Sequence, residues 1–344
     1  MGLFDFLLPK ERRVERLWNR AMAELESYDF DAALKTAGEL ERLRFSGSFE
    51  VEARALAGLE RGEEAVAAVE RGLAKVPENG RLWEQLGIQC SDLGRFDRAH
   101  EAFAKARACA DAPELASIAL NDALVWSRQG EPARAESTLA SAPATRDVEL
   151  ASRIEALRAK STLELGRAKE ALARVDQWLA SPAADDASID SRTRALLLAT
   201  RATALHATDI ALELVYRAID AALASDKSVP EAARLLRTLD GRRSAGARRW
   251  TLTLEGLWPA PSELVPRPRG IETIEAPLAF FATYVVIADS SEDALELCRR
   301  FEPPHVGRSL RVESSTDLGA APNELLGVER ALGGYTFMRL RSDP

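Results

Sequence analysis

From about residue 14 to residue 240 apolar residues return every three to four positions, the period of helices with one buried face. After residue 249 the pattern changes to every second position, the period of strands. A small residue opens the second helix of each expected pair, at Ala33, Ala65, Ala99, Ala135, Ala171 and Ala211, in steps of 32, 34, 36, 36 and 40. Gly94, Gly130 and Gly166 keep the same rhythm, 36 apart, and LGRFDRAHEAF, QGEPARAESTL and LGRAKEALARV superpose. The spacing predicts six helical hairpins. Alanine at the recurring position is a packing requirement, because helices crossing about 8–10 Å apart leave no room for a large side chain at the closest point. Longer exposed connections are expected at Asp111-Ala112-Pro113, at Pro143-Ala144-Thr145 and at 181–190, all rich in turn and helix-stop residues. Pro230 then opens, and Gly241 closes, a capping helix with Ala233, Leu236 and Leu239 on its covered face, the end that a helical array needs.

The clearest unit is Gly80 to Asp111, GRLWEQLGIQCSDLGRFDRAHEAFAKARACAD. It places Trp83, Leu86, Gly87, Cys90, Gly94, Ala99, Phe103 and Ala106 at the offsets of W-x₂-L-G-x₂-Y…A-x₃-F. The preceding 34 residues, Ser46 to Asn79, carry Phe49, Ala53, Ala65, Val69, Gly72 and Pro77 at equivalent sites. On these residues 14–240 resembles the tetratricopeptide-repeat family. The resemblance implies an all-α superhelix whose first helices line a concave groove that holds an extended peptide or a partner helix. Carried over, the groove-facing residues are Trp18, Met22, Glu50, Arg54, Arg81, Glu84, Ile88, Leu120, Ser127, Arg153, Lys160, Leu196 and Thr200. Glu50 and Glu84 neighbour Arg54 and Arg81, so pairing across the groove competes with ligand capture. The chaperone-tail clamp of some family members needs Lys and Asn in successive repeats; Asn121 and Arg153 fit it, whereas Glu84, Ile88 and Leu157 do not.

The carboxy-terminal part reads differently. RWTLTLEGLW and FFATYVVIAD alternate as strands, SSEDALELCRRF is a helix with a Ser-x-x-Asp start and Arg299 and Arg300 at its end, and SLRVESS and GYTFMRLR supply two more strands. The expected order is β-β-α-β-β, a small α+β domain over 250–344, with LGAAPNELLGVERALGG as an irregular link and 241–249 as an arginine-rich linker. Trp250 and Trp258, eight apart on the first strand, are expected to pack in the core. FFATYVVIADSSEDALELCRRF looks like the core of small uncharacterised bacterial domains and brings no catalytic residue with it. Pro259, Pro261, Pro266, Pro268 and Pro277 make the loop between the first two strands a stiff, extended one.

Composition narrows the function. With net charge −8 over 344 residues, split −5 and −3 at residue 245, no basic block tracks phosphates, and nucleic acid is not an expected partner. Cys90, Cys109 and Cys298, and His100, His206 and His305, are scattered without metal-ligand or disulfide spacing, so no metal or cofactor is expected. His100, beside Ala99 and facing away from the alanine seam, is read as a solvated helix residue. Neither G-x-S-x-G nor a glycine-rich phosphate loop is present. Residues 1–13 begin MGLFDFLL, an apolar helical face too short for stable membrane insertion though able to touch a membrane or a partner, and the chain lacks a signal-peptide pattern, so the cytoplasm is the expected address. The expectation is a non-enzymatic interaction protein, a scaffold or adaptor binding a protein or peptide partner in the groove. A chaperone or immunity-type protein masking a toxin or secreted effector shares that fold. A different class makes the small domain an enzyme or ligand sensor with the repeats as its recruiting arm.

Overall fold

The structure is a computed structural model describing residues 9–260 and 277–338. The MGLFDFLL start, most of the proline-rich stretch and the end of GYTFMRLR lie outside the described residues. The chain divides into two compact units, residues 1–161 and 162–344.

The first unit contains α1 (Lys10–Glu26), α2 (Phe30–Arg42), α3 (Ser48–Gly58), α4 (Gly62–Lys75), α5 (Gly80–Asp92), α6 (Phe96–Cys109), α7 (Leu115–Arg128), α8 (Pro132–Ala140) and most of α9 (Val148–Glu164). The second contains α10 (Ala168–Leu179), α11 (Ser191–Ala207), α12 (Leu212–Ser225) and α13 (Pro230–Asp240), followed by a sheet. Each hairpin reverses on one left-handed residue: Gly94, Gly130 and Gly166 as the sequence suggests, and Tyr28, Glu60 and Asp209 in the other turns. The amide after each of them reaches back five residues to a helix carbonyl (Asp29 to Glu24, Arg61 to Leu56, Arg95 to Cys90, Glu131 to Trp126, Arg167 to Thr162, Ile210 to Leu205) at 2.8–3.2 Å. This is the Schellman closure that satisfies orphan carbonyls at a helix end.

Ala33, Ala65, Ala99, Ala135 and Ala171 are each the fourth residue of their helix and have no exposed surface. Gly87 belongs to the same close packing, since a Cβ there would stand 2.6 Å from the Phe103 ring of the facing α6. Ala211 departs from the expectation. It is the exposed N-cap of α12, and the fully buried fourth residue is Val215. The physical reason is the turn: the buried residue follows the left-handed one by five in the first five hairpins and by six from Asp209 to Val215.

His100 also departs. Its ring lies stacked 3.6 Å from Trp126, and Nδ1 sits 2.5 Å from the Asp122 carboxylate, which also accepts from Arg107 at 2.6 Å. The face of α6 turned away from the alanine seam is covered by α7 of the next hairpin, so what reads as solvated in one repeat is an interface between repeats.

In the second unit β1 (Arg248–Trp258), β2 (Leu278–Ala288), β3 (Arg311–Ala320), β4 (Gly327–Ala331) and β5 (Thr336–Phe337) form an antiparallel sheet of order β3-β1-β2-β4, with β5 also on β2. The helix α14 (Ser291–Phe301) starts where the Ser290 side chain accepts from the Asp293 amide at 3.1 Å, and a short α15 (Pro304–His305–Val306–Gly307) follows. Leu252, Leu254, Trp258, Phe280, Ala282, Tyr284 and Val286 alternate inward beneath Ala294 and Cys298, and Trp250 packs against the same core. The expected irregular link contains β4, five residues whose charged Glu329 and Arg330 hide the strand signal. The expected linker 241–249 is bound to the sheet. Leu326 donates to the Arg242 carbonyl, Ala321 to that of Ala247, Arg248 pairs with Asp317 at 2.5 Å, and Arg249 pairs with Glu329 and Glu324. Arg248 and Arg249 thus answer carboxylates of β3, β4 and the turn between them, while Arg242 pairs with Asp240 and Arg243 donates to the Asn323 carbonyl.

Candidate functional site

The first helices α1, α3, α5 and α7 pack in succession and share one face of the first unit. Trp18 on α1 meets Phe45 edge to face, with ring centroids 5.6 Å apart. The Met22 sulfur accepts from Arg54 of α3 at 3.4 Å, and Arg54 stands 3.7 Å from Glu50 one turn away. On α5, Arg81 donates to Glu114 at 2.7 Å, Glu84 accepts from Asn121 of α7 at 2.8 Å, and Ile88 continues the same face one turn on. A cavity of about 480 Å³ opens beside them, lined by Lys10, Glu11, Val14, Glu15, Trp18, Phe45 and Arg81.

Electrostatics make this face responsive to what lies on it. Burial raises the Glu50 carboxyl above its ordinary range, with Arg54 and Arg81 pulling it back down and Glu114 adding to the rise. Burial likewise raises Glu84, whose hydrogen bonds from Ser117 and Asn121 oppose the rise. Arg81 is held more firmly protonated by its hydrogen bond to Glu114. The cations remain accessible, the Arg54 and Arg81 side chains being 41% and 64% exposed.

Six of the expected groove residues therefore come together, Trp18, Met22, Glu50, Arg54, Arg81 and Glu84, and Ile88 lies half-buried one turn beyond Glu84. Ser127 is half-buried near the end of α7, Arg153 is exposed and Lys160 half-buried on α9. Leu120 does not face outward. It is 2% exposed within a core formed with Ala116, Ala123, Leu139, Ile154 and Leu157, because Glu114, just ahead of α7, and Ser117 and Asn121 on it face α5, and Leu120 is turned about 100° from Asn121. Leu196 and Thr200 belong to the second unit. Thr200 is buried, at 2% exposure, and Leu196 packs against the α11–α13 core, so neither is a free contact residue.

Glu114, Ser117 and Phe45 were missed from the sequence. Glu114 has a readable signal: Asp111 and Glu114 form a reciprocal capping box over the short 3₁₀ turn Ala112–Glu114, where the sequence suggests a plain connection. Phe45 lies in the α2–α3 turn, outside any first-helix pattern.

No protein-family model matches the chain, and no curated protein matches it in sequence. Solved structures do match in fold. The Cut9–Hcn1 hetero-tetramer of the APC/C superimposes with a TM-score of 0.54 at 12% identity, over 64% of this chain and 41% of that one. PilW, a type IV pilus biogenesis factor, superimposes with a TM-score of 0.50 at 17% identity, over 60% of this chain and 90% of that one. The helical hairpins have the tetratricopeptide-repeat fold. TTC0263, a tetratricopeptide-repeat protein of Thermus thermophilus, aligns over 61% of this chain and 99% of its own at 20% identity, with a TM-score of 0.41. The matched region spans less than half of the Cut9–Hcn1 chain. In this tetratricopeptide array the motif residues are structural: Leu86, Gly87, Cys90, Ala99, Phe103 and Ala106 are all buried.

A second concentration of polar side chains lies inside the sheet-bearing unit. The Lys227 ammonium, from the turn before α13, donates to Glu302 at 3.0 Å and to the Tyr284 hydroxyl at 2.8 Å, and lies 3.4 Å from the Tyr335 ring centroid. The hydroxyls of Tyr284 and Tyr335 both donate to Glu302. Burial lowers the Lys227 pKa against the pull of Glu302, and burial together with the Glu302 charge raises both phenols. Burial first, then Glu302, also raises the neighbouring Cys298 thiol, the opposite of an activated nucleophile. The cluster is closed to solvent and ties the last helical turn to the sheet. Among the described residues no group of three or more His, Cys, Asp and Glu side chains is placed to hold a metal ion, and no helix is long and apolar enough to cross a membrane.

Proposed function

We propose that this chain is a binding protein whose partner, a protein or peptide, lies along the face shared by α1, α3, α5 and α7. The observation that carries the reading is the convergence there of side chains from successive first helices: aromatic and aliphatic surface from Trp18 and Met22 of α1 and Ile88 of α5, and exposed guanidiniums from Arg54 of α3 and Arg81 of α5, with Asn121 of α7 held to Glu84 beside them and a cavity of about 480 Å³ alongside. No single contact is strong, so affinity arises from several modest ones in series, as expected for an extended segment docked on a repeat surface. The role assigned is that of a non-enzymatic scaffold or adaptor. The cytoplasm remains the proposed address. Replacing Arg54 and Arg81 together by Ala tests the reading. Capture of the native partner should fall at least tenfold while the melting temperature stays within a few degrees, because exposed ion pairs contribute about 0–1 kcal/mol each to folding. Undiminished capture by the double variant would remove this face from the account.

A further inference from the structure

We infer that a hollow in the second unit, between α12, α13, α14 and β4, is a binding site for a medium-chain fatty acid. The cavity measures about 300 Å³, and its walls are Tyr216 from α12, Leu236 and Leu239 from α13, Leu297 and Phe301 from α14, and Leu326 ahead of β4. Three helices each turn an apolar edge toward the same space. On α13 Ala232, Ala233 and Leu235 are buried, and Leu236 and Leu239, half-buried against the α11–α13 core, keep part of their surface along the hollow. On α12, Tyr216 is 44% exposed, and Leu212, one turn earlier on the same face, is 55% exposed. Leu297 and Phe301, four apart, form one face of α14. Contiguous apolar surface of this kind at the rim of a concavity marks a site of interaction, and the volume falls at the small end of the ligand-pocket range of about 300–1,000 Å³.

Charge selects the head group. The polar lining consists of Arg237, Arg300 and Asp240. Asp240 is already committed, taking both Nε and Nη2 of Arg242 on one carboxylate oxygen at 2.8 and 2.6 Å. Among the described residues Arg300 makes no ion pair, and its charge reaches Asp240 only as a weaker influence beside Arg242. Arg237 donates Nη1 to the Leu325 carbonyl at 3.3 Å, while its buried Nε has no acceptor. The nearby Glu324 and Glu329 carboxylates accept from Arg249 at 2.8–3.1 Å. Two guanidiniums thus border a hollow with apolar side chains from three helices and one acid already paired with Arg242, and a guanidinium fork matches a carboxylate better than it matches any neutral head group. At roughly 30 Å³ per water-sized group the space holds about ten heavy atoms, enough for the carbon chain of an aliphatic acid of about eight to ten carbons whose carboxylate oxygens lie at the bordering guanidiniums.

Calorimetric titration of the full chain with decanoate, decanol and decyltrimethylammonium tests the site. The expected result is saturable one-to-one binding of decanoate below millimolar concentration, with decanol at least tenfold weaker and the cation silent. Arg300→Gln, a change at an exposed side chain, should weaken decanoate several-fold and leave decanol unchanged, and Arg237→Gln combined with it should deepen the loss. Absence of saturable decanoate binding overturns the proposal, and so does decanol binding as tightly as decanoate. Light scattering supplies the other outcome: a dimer that dissociates on Leu239→Lys would mean that a second copy covers the hollow, and the fatty-acid assignment would fall.

Discussion

The open face of the first unit and the closed cluster of the second are built from the same chemistry, carboxylates against cations, with opposite consequences. Around Arg54 and Arg81 the ion pairs face solvent, and the guanidiniums stay 41% and 64% exposed, so water screens the pairs and the groups remain available to a partner. Around Lys227 and Glu302 the side chains are 8% and 1% exposed, and every polar atom must find its partner within the protein. Exposure, not residue type, separates the proposed recognition surface from the structural lock. The same contrast divides the helices, whose seams are closed by fully buried alanines, from the sheet, which is closed on a polar cluster.

The largest effect is expected where that lock is broken. Glu302→Ala leaves the Lys227 ammonium and the Tyr284 and Tyr335 hydroxyls without their acceptor and should destabilise the second unit by about 3–5 kcal/mol in a denaturant titration. A loss below about 1 kcal/mol would show that the cluster is hydrated.

Next comes the alanine seam. Ala99→Leu or Ala135→Leu should cost about 1–3 kcal/mol by overpacking, whereas Ala211→Leu, on the exposed N-cap, should change stability by less than about 0.5 kcal/mol. Equal effects at the three positions would contradict the turn assigned to the sixth hairpin.

Alkaline pH separates the two regions without mutation. Tyr284 and Tyr335 have raised pKa values in the folded chain, so above about pH 10, where unfolded phenols ionise, the folded state holds more protons and stability falls as pH rises. The depressed Lys227 acts with the opposite sign: its penalty is present below its folded pKa and is relieved as pH climbs toward about 10.4. The second unit should therefore unfold first in an alkaline titration followed by hydrogen exchange, and Tyr335→Phe should reduce the steepness of its decline. A small effect on folding, about 1 kcal/mol or less, is expected of the Arg54→Ala and Arg81→Ala pair.

What the sequence discloses and what it conceals follow from the range of each interaction. Hairpins, caps and the αL turns at Gly94, Gly130 and Gly166 are local, so period and punctuation reveal them. Tyr28, Glu60 and Asp209 occupy the same left-handed position without the glycine that would announce it. Residues that act between repeats are harder to read: His100 looks solvated until Asp122 and Trp126, more than twenty positions on, are packed against it. For the candidate site, α1, α3 and α5 carry the expected residues to the shared face, while on α7 a fixed repeat offset selects Leu120 and the structure presents Asn121. A one-residue error rotates a helical side chain by about 100°. The Lys227–Glu302 contact spans 75 residues and has no local signature at all.

The proposed seat of the partner on the face of the first helices is open to site-specific photo-crosslinking in the native cell. A photoreactive side chain in place of Ile88, on the shared face of α5, is compared with one in place of Asp97, on the exposed first turn of α6. Position 88 should give a discrete crosslinked partner that disappears when Arg54→Ala and Arg81→Ala are added, and position 97 should give none. The same partner crosslinking from position 97 and not from 88 would contradict it.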